Sequence, residues 1–313
     1  MKKKVLIALQ TFSEYSNEPL KLIKNSGVEI VFNKLKHRLN REEIVSLGSD
    51  ADGIIAGVEP YDKEVLGRLP KLKCISRCGV GIDNIDLEVA SKKDIKVLNT
   101  PDAVIQPVAE MTVAMIFDLL KLLTVHTQLL KSKEWKKRPG HMLAGRKIGI
   151  VGLGRIGRRV AEILNLLGGK VYGCDPYPDI EWSKNKNITI LPFNELVRQV
   201  NVISFHIKTD KNNSLFIGEN EISLFNKGTV VVNTSRGQIF DETALYNALK
   251  SGHIGGAALD VFCEEPYKGP LCEIENVILT PHISTLTEGS RTEMEVQAVL
   301  NILRYFNLEV ESN

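Results

Sequence analysis

The chain has 313 residues, 43% hydrophobic and 25% charged, the make-up of a globular protein of about two domains. Its 40 basic and 38 acidic side chains leave a formal net charge of +2, which gives no case for nucleic acid or an anionic membrane as the main partner. No apolar run approaches the roughly 20 residues that span a bilayer. The five cysteines (Cys74, Cys78, Cys174, Cys263, Cys272) make neither a disulfide framework nor a zinc pattern, so no metal is expected, and reduced thiols in a cytoplasmic protein are.

Lys2-Lys3-Lys4 followed by Val5–Leu9 mimics the start of a signal peptide, but the apolar core is too short and reads as a first β-strand. Further short apolar runs follow at Val28–Phe32, Gly53–Ala56, Cys74–Ser76 and Ile95–Leu98. Amphipathic stretches separate them at Glu18–Asn25, Arg41–Leu47, Asp62–Leu66 and Leu87–Lys93. That alternation predicts a parallel sheet with helices on its faces. Val108 to Leu130 reads as one long helix with excess apolar surface, suited either to a subunit interface or to burial between domains. Lys131–Leu143 is polar and broken.

A second alternation begins at Lys147. Strands are expected near Ile148–Val151, Lys170–Cys174, Val202–Phe205, Thr229–Asn233, Gly256–Asp260 and Val277–Thr280. Helices are expected near Arg155–Leu167, Asn194–Gln199, Glu219–Phe225 and Glu242–Lys250, with a last amphipathic helix from about Glu288 to Phe306. The pattern is that of a six-strand nucleotide-binding sheet.

The first strand of this half runs into Gly152-Leu153-Gly154-Arg155-Ile156-Gly157 and then a helix, the context that gives a GxGxxG motif its meaning. Gly152 allows the tight turn, Gly154 the approach of backbone to a pyrophosphate, and Gly157 close helix packing. The helix N-terminus adds free N–H donors, and Arg155 a charge. Asp175 ends the next strand, where an acid holds ribose hydroxyls and repels a 2′-phosphate, so NAD is favoured over NADP.

Three polar residues follow the ends of later strands: Arg236, Glu265 and His282. Ligands bind at that edge of an open parallel sheet. Together they supply what 2-keto acid reduction needs. A guanidinium grips the carboxylate and polarises the adjacent carbonyl. A histidine exchanges the proton with the alkoxide, and a carboxylate orients the histidine.

At these residues the sequence resembles the D-isomer-specific 2-hydroxyacid dehydrogenase family, and within it the phosphoglycerate dehydrogenase-like branch. Four blocks carry the likeness: Arg77 to Asp86, the Gly152–Gly157 loop with Asp175, Asn233 to Gly237, and Gly256–Pro266 followed by Pro281-His282. The resemblance implies two Rossmann-like, doubly wound parallel-sheet domains. A substrate/catalytic domain of residues 1–99 plus 288–313 would be split by an NAD-binding domain of residues 100–287, with a hinge that closes the cleft on substrate. It implies that Arg236, Glu265 and His282 are catalytic. Gly152, Gly154, Arg155, Ile156, Gly157, Asp175, His206, Thr234 and Asp260 would bind NAD, the last two near the nicotinamide. Arg77, Gly79, Val80 and Gly81, with Arg236, would bind substrate, the glycines baring backbone N–H groups to an anion. The helix after Pro107 matches the element that forms the homodimer.

Departures accompany the likeness. Ile283-Ser284-Thr285-Leu286 follows His282 where the family has small residues, and Ser284 and Thr285 are expected to add hydroxyls near the nicotinamide pocket. The chain ends at Asn313, so serine feedback through a C-terminal regulatory extension is not expected. 3-Phosphoglycerate is the first expectation for substrate. Glyoxylate, hydroxypyruvate or a sugar-derived keto acid stay open. Glu265 argues against a formate dehydrogenase, which pairs Gln with the histidine, and nothing singles out phosphite. The rival from another class is an NAD(H)-responsive, corepressor-like binding protein. No insert for partner binding is evident.

Overall fold

The computed structural model describes residues 2–208 and 216–308; the last five residues of the 288–313 segment lie outside that range. Five strands open the chain: β1 (Lys4–Ile7), β2 (Glu29–Phe32), β3 (Gly53–Ala56), β4 (Cys74–Arg77) and β5 (Lys96–Asn99). Between consecutive strands run α1 (Glu18–Asn25), α2 (Arg41–Gly48), α3 (Lys63–Gly67) and α4 (Leu87–Lys92). Asn40, Asp62 and Asp86 each accept a backbone N–H from the first turn that follows, which fixes where α2, α3 and α4 begin.

These strands pair in parallel in the order β2-β1-β3-β4-β5. Side chains alternate across a strand, so the sheet is buried on both sides. Leu6, Ala8, Ile54, Ala56 and Ile75 join Ile44, Val65, Leu66 and Ala90 of α2, α3 and α4 in one core. The opposite face receives the C-terminal helix α12 (Glu288–Tyr305), which packs on β3, β4, β5 and α1. Residues 1–104 and 285–313 form this compact unit, and residues 105–284 form a second unit inserted in it.

The second unit begins with α5 (Ile105–Lys121) and α6 (Leu123–Lys131). It continues β6 (Lys147–Val151), α7 (Arg155–Leu166), β7 (Lys170–Cys174), α8 (Ile180–Asn185), β8 (Thr189–Ile190), α9 (Phe193–Gln199) and β9 (Val202–Phe205). Then come α10 (Glu219–Ser223), β10 (Thr229–Asn233), α11 (Glu242–Lys250), β11 (Ile254–Leu259) and β12 (Val277–Leu279). The sheet is parallel, in the order β12-β11-β10-β9-β6-β7-β8. Alternation again divides the core. Ile203, Phe205, Val231, Ala257 and Leu259 pack with α9, α10 and α11. Val202, Val230, Val232, Ala258, Ile148 and Ile150 pack with α5 and α7. Both units are therefore doubly wound α/β sheets.

Three expectations need correction. The sheet has seven strands, because the two-residue β8 is too short to leave a periodic signal. α8 was hidden in a polar stretch, although Asp179 caps it by accepting from Trp182 N–H. The long helix expected over Val108–Leu130 is two helices, broken at Leu122, whose φ of 56° is left-handed. Asp118 drives the break by accepting both the Thr124 N–H (2.8 Å) and the Thr124 hydroxyl (2.5 Å). Among the described residues no helix is long and apolar enough to cross a membrane.

Candidate functional site

In the second unit the chain builds outward from β6 in two directions: β7 and β8 on one side, then β9 to β12 on the other. The loops after β6 and β9 part at this switch point and open a crevice beyond the strand ends. Gly152 occupies the turn after β6 with φ +91°, and a Cβ there would stand 2.5 Å from the His206 carbonyl oxygen. A Cβ on Gly157 would stand 1.9 Å from the Gly152 carbonyl oxygen, so only glycine lets α7 come this close to the turn. Gly154, the N-cap of α7, differs: its φ is ordinary and a Cβ would meet nothing within 4 Å. The protein's own packing does not require glycine there, whereas a close-lying ligand would. Arg155 and Ile156 form the first turn of α7.

Asp175 lies just past β7. Its carboxylate accepts Leu153 N–H (2.7 Å) and Tyr177 N–H (2.8 Å), which ties it to the glycine loop. This cradle of bare backbone, helix N-terminus and carboxylate fits a dinucleotide. His206 follows β9, its Nε2 2.9 Å from the Ser204 hydroxyl, and burial holds its imidazole down to about 3, so the ring is neutral. Thr234 follows β10, its hydroxyl 3.0 Å from that of Thr112 on α5.

Asn233 ends β10 and is nearly fully buried. Its side-chain oxygen accepts Ser235 N–H (3.0 Å) and the Ser235 hydroxyl (2.8 Å), and its amide donates to the Arg236 carbonyl at 2.8 Å. The turn that presents Arg236 is thus locked from within. One Arg236 guanidinium nitrogen donates to the Ser235 carbonyl at 2.7 Å.

Glu265 and His282 meet. His282 Nδ1 stands 3.0 Å from Glu265 Oε2, while Glu265 Oε1 accepts Phe262 N–H at 3.2 Å. Both side chains are about half exposed. The carboxylate favours the tautomer with its proton on Nδ1 and leaves Nε2 outside this contact. Asp260, at the end of β11, is fully buried, and its carboxylate accepts from Thr280, Ile283 and Ser284. The Ser284 hydroxyl donates to Asp260 at 2.5 Å.

Arg77, Gly79, Val80 and Gly81 lie in the first unit, at the end of β4. Gly79, at φ +130°, gives its N–H to the Thr100 hydroxyl at 2.7 Å, so it is not one of the donors expected to face an anion. Among the described residues Val80 and Gly81 show no protein acceptor for their N–H groups, and Asn99 holds the loop through the Val80 carbonyl at 2.9 Å. The Arg77 guanidinium folds across Gly79 and donates to the Cys78 carbonyl. Sequence reasoning missed Asn233, Thr112 and Thr280. Asn233 was within reach, since an Asn two residues before a turn Ser is an Asx-turn signal; the other two need the fold.

Residues 113–284 match the model of the D-isomer specific 2-hydroxyacid dehydrogenase, NAD binding domain. The chain is 39% identical over 259 residues to D-3-phosphoglycerate dehydrogenase of Methanocaldococcus jannaschii, covering 81% of this chain and 49% of that one. It spans about half the length of the phosphoglycerate dehydrogenases it matches. It is 35% identical over 277 residues to glyoxylate reductase of Thermococcus litoralis, covering 84% and 83% of the two chains. Its fold superposes on a crystal structure of a glyoxylate reductase from Paecilomyes thermophila with a TM-score of 0.87 and 27% identity, over 99% and 98% of the two chains.

Proposed function

The chain belongs to the D-isomer specific 2-hydroxyacid dehydrogenase family, and we propose that it is an NAD-dependent oxidoreductase acting at C2 of a small D-2-hydroxy or 2-keto acid. The observation that carries this reading is the 3.0 Å contact of His282 with Glu265, on the same sheet edge as the Arg236 turn and the glycine loop. A bound nicotinamide supplies or accepts the hydride. Gly152, Gly154, Arg155, Ile156 and Gly157 hold its phosphates, and Asp175 the ribose hydroxyls. Asp175 accepts two backbone N–H groups and stays an acceptor, which favours NAD over a 2′-phosphorylated cofactor.

Arg236 grips the substrate carboxylate with its planar fork and draws charge toward the carbonyl oxygen. His282 delivers a proton from Nε2 to that oxygen in reduction and removes it in oxidation. Glu265 holds the ring and stabilises it when charged. Val80 and Gly81 offer N–H groups to the substrate anion. For the substrate, 3-phosphoglycerate and glyoxylate are candidates carried by named relatives, and Arg77 is the side chain suited to a phosphorylated one. A homodimer formed through α6 and the segment after it, in a cytoplasmic setting, completes the proposal.

The test is loss of NADH absorbance against a panel of 2-keto acids that includes glyoxylate, hydroxypyruvate and 3-phosphohydroxypyruvate. Turnover of at least one is expected, falling about 100- to 10,000-fold in His282→Ala and comparably in Arg236→Ala. Near-normal turnover in either variant would overturn the assignment. Turnover of the phosphorylated acid alone would identify the phosphoglycerate branch.

A further inference from the structure

The edge of the seven-stranded sheet opposite the glycine loop carries charge of one sign. Lys147 opens β6 and Lys170 opens β7, side by side in the ladder. Arg146 precedes β6, Arg198 stands in the last turn of α9, and Lys227 lies just before β10. Elsewhere in this unit cations are paired: Arg138 with Glu275, Arg158 with Asp179, and both Arg159 and Lys186 with Glu162. Among the described residues Arg146, Lys147, Lys170, Arg198 and Lys227 have no such acid partner. Arg146, Lys147 and Arg198 line a cleft of about 760 Å³ together with His141, Gln199 and Asn201, and no Asp or Glu lines it. The backbone fixes its walls. Gly145 N–H donates to the Gly168 carbonyl at 2.7 Å, Lys170 N–H to the Arg146 carbonyl at 2.8 Å, and Asn201 N–H to the Lys147 carbonyl at 3.0 Å. A helix C-terminus attracts a cation, but the end of α9 is answered otherwise: the Asn226 amide donates to the Arg198 and Val200 carbonyls at 2.9 and 3.0 Å. Like charges gathered in a concave surface focus their field outward and concentrate counter-ions.

We propose that this cleft binds a small multivalent oxyanion, a phosphate ester or a polycarboxylate, at a site separate from the cofactor and substrate edge. The Arg198 guanidinium offers a fork to one oxyanion group and Lys147 a point charge to another. Arg146 is steadied by its Nε–H, which donates to the Met142 carbonyl at 3.2 Å and leaves its outer nitrogens for the ligand. A monovalent anion would leave most of this charge unanswered. β6 runs from Lys147 in the cleft to Val151 and the Gly152 turn, so at about 3.3 Å per residue the ligand lies roughly 16 Å from the glycine loop and does not compete with a dinucleotide. The inference does not rest on the reading of the activity.

The experiment titrates pyrophosphate, citrate and inorganic phosphate calorimetrically into the full chain saturated with NAD, which keeps them off the glycine loop. The parent is compared with Lys147→Ala combined with Arg198→Ala. A control, Lys21→Ala combined with Lys63→Ala, removes the same charge from exposed positions of the first unit. Pyrophosphate or citrate is expected to bind one per chain with a Kd below about 1 mM. The cleft variant is expected to weaken it about 10- to 100-fold and the control by less than about twofold. Pyrophosphate bound alone identifies a phosphate ester, citrate alone a polycarboxylate, and both a site that reads charge. No binding tighter than about 1 mM, or equal loss in the two double variants, overturns the proposal. So does inorganic phosphate bound as tightly as the multivalent anions, which leaves an adventitious ion only. If the cleft variant does not fold, Arg198→Gln alone decides by the same criteria. If NAD does not bind, the cofactor reading fails, while the comparison of the two double variants still decides the cleft.

Discussion

His206 carries a pH dependence whose sign follows from its burial. Held down to about 3 in the folded chain, it titrates near 6.5 when unfolded. The unfolded chain therefore binds a proton that the folded one refuses. Stability is intact above about pH 6.5 and is lost as pH falls from there toward 3, by up to about 1.4 kcal/mol per pH unit. Urea unfolding at pH 7, 6 and 5 is expected to show a steeper fall in the parent than in His206→Gln; equal slopes would mean that the ring is free to charge. The glycines beside it separate packing from binding. Gly157→Ala sets a Cβ against the Gly152 carbonyl and is expected to lower Tm sharply. Gly154→Ala, which meets no protein atom, is expected to keep its Tm but to bind NADH at least about tenfold more weakly, since a methyl group there lies where a pyrophosphate must approach. Unchanged NADH affinity in Gly154→Ala would place the dinucleotide elsewhere.

Among the elements, the helix pair α5 and α6 shows what the sequence leaves unsaid. Apolar residues continue at helical spacing from Val108 to Leu130, and nothing in that periodicity marks a break. The break depends on Asp118 reaching across the turn to Thr124, a contact between residues whose neighbourhood appears only once the chain has turned. Asp118→Ala is expected to cost about 1 kcal/mol, the worth of a helix cap, measured by chemical denaturation; no loss would assign the turn to the packing of Val125 and Leu129 alone. The strands were legible for the opposite reason. A parallel strand covered on both faces is a short apolar run, and Val230-Val231-Val232 can hardly be anything else. The two residues of β8 hold too few side chains to form such a run.

At the scale of the whole chain, Gly152, Arg236, Glu265 and His282 could be picked out before any coordinates because parallel topology sends every strand's C-terminal end to one edge. Residues that follow strands, however far apart in sequence, then become neighbours. The partners behind them, Asn233 under Arg236 and Thr280 and Ser284 around Asp260, depend on side-chain direction within turns, which no spacing encodes. The same holds for assembly. α6 turns Val125 and Leu129 inward, yet leaves Leu123 56% and Leu130 58% exposed, seven residues apart and hence on one face; Trp135 beyond it is 81% exposed. Fully burying each of these leucines against a second copy would contribute about 1.5–3 kcal/mol. Leu130→Glu combined with Trp135→Ala is therefore expected to shift the protein from dimer to monomer in size-exclusion chromatography with light scattering, with the far-UV circular dichroism of the folded chain retained because neither side chain packs in a core. A parent chain that runs as a monomer at the same concentration would remove the dimer from the proposal and leave this apolar face for another partner.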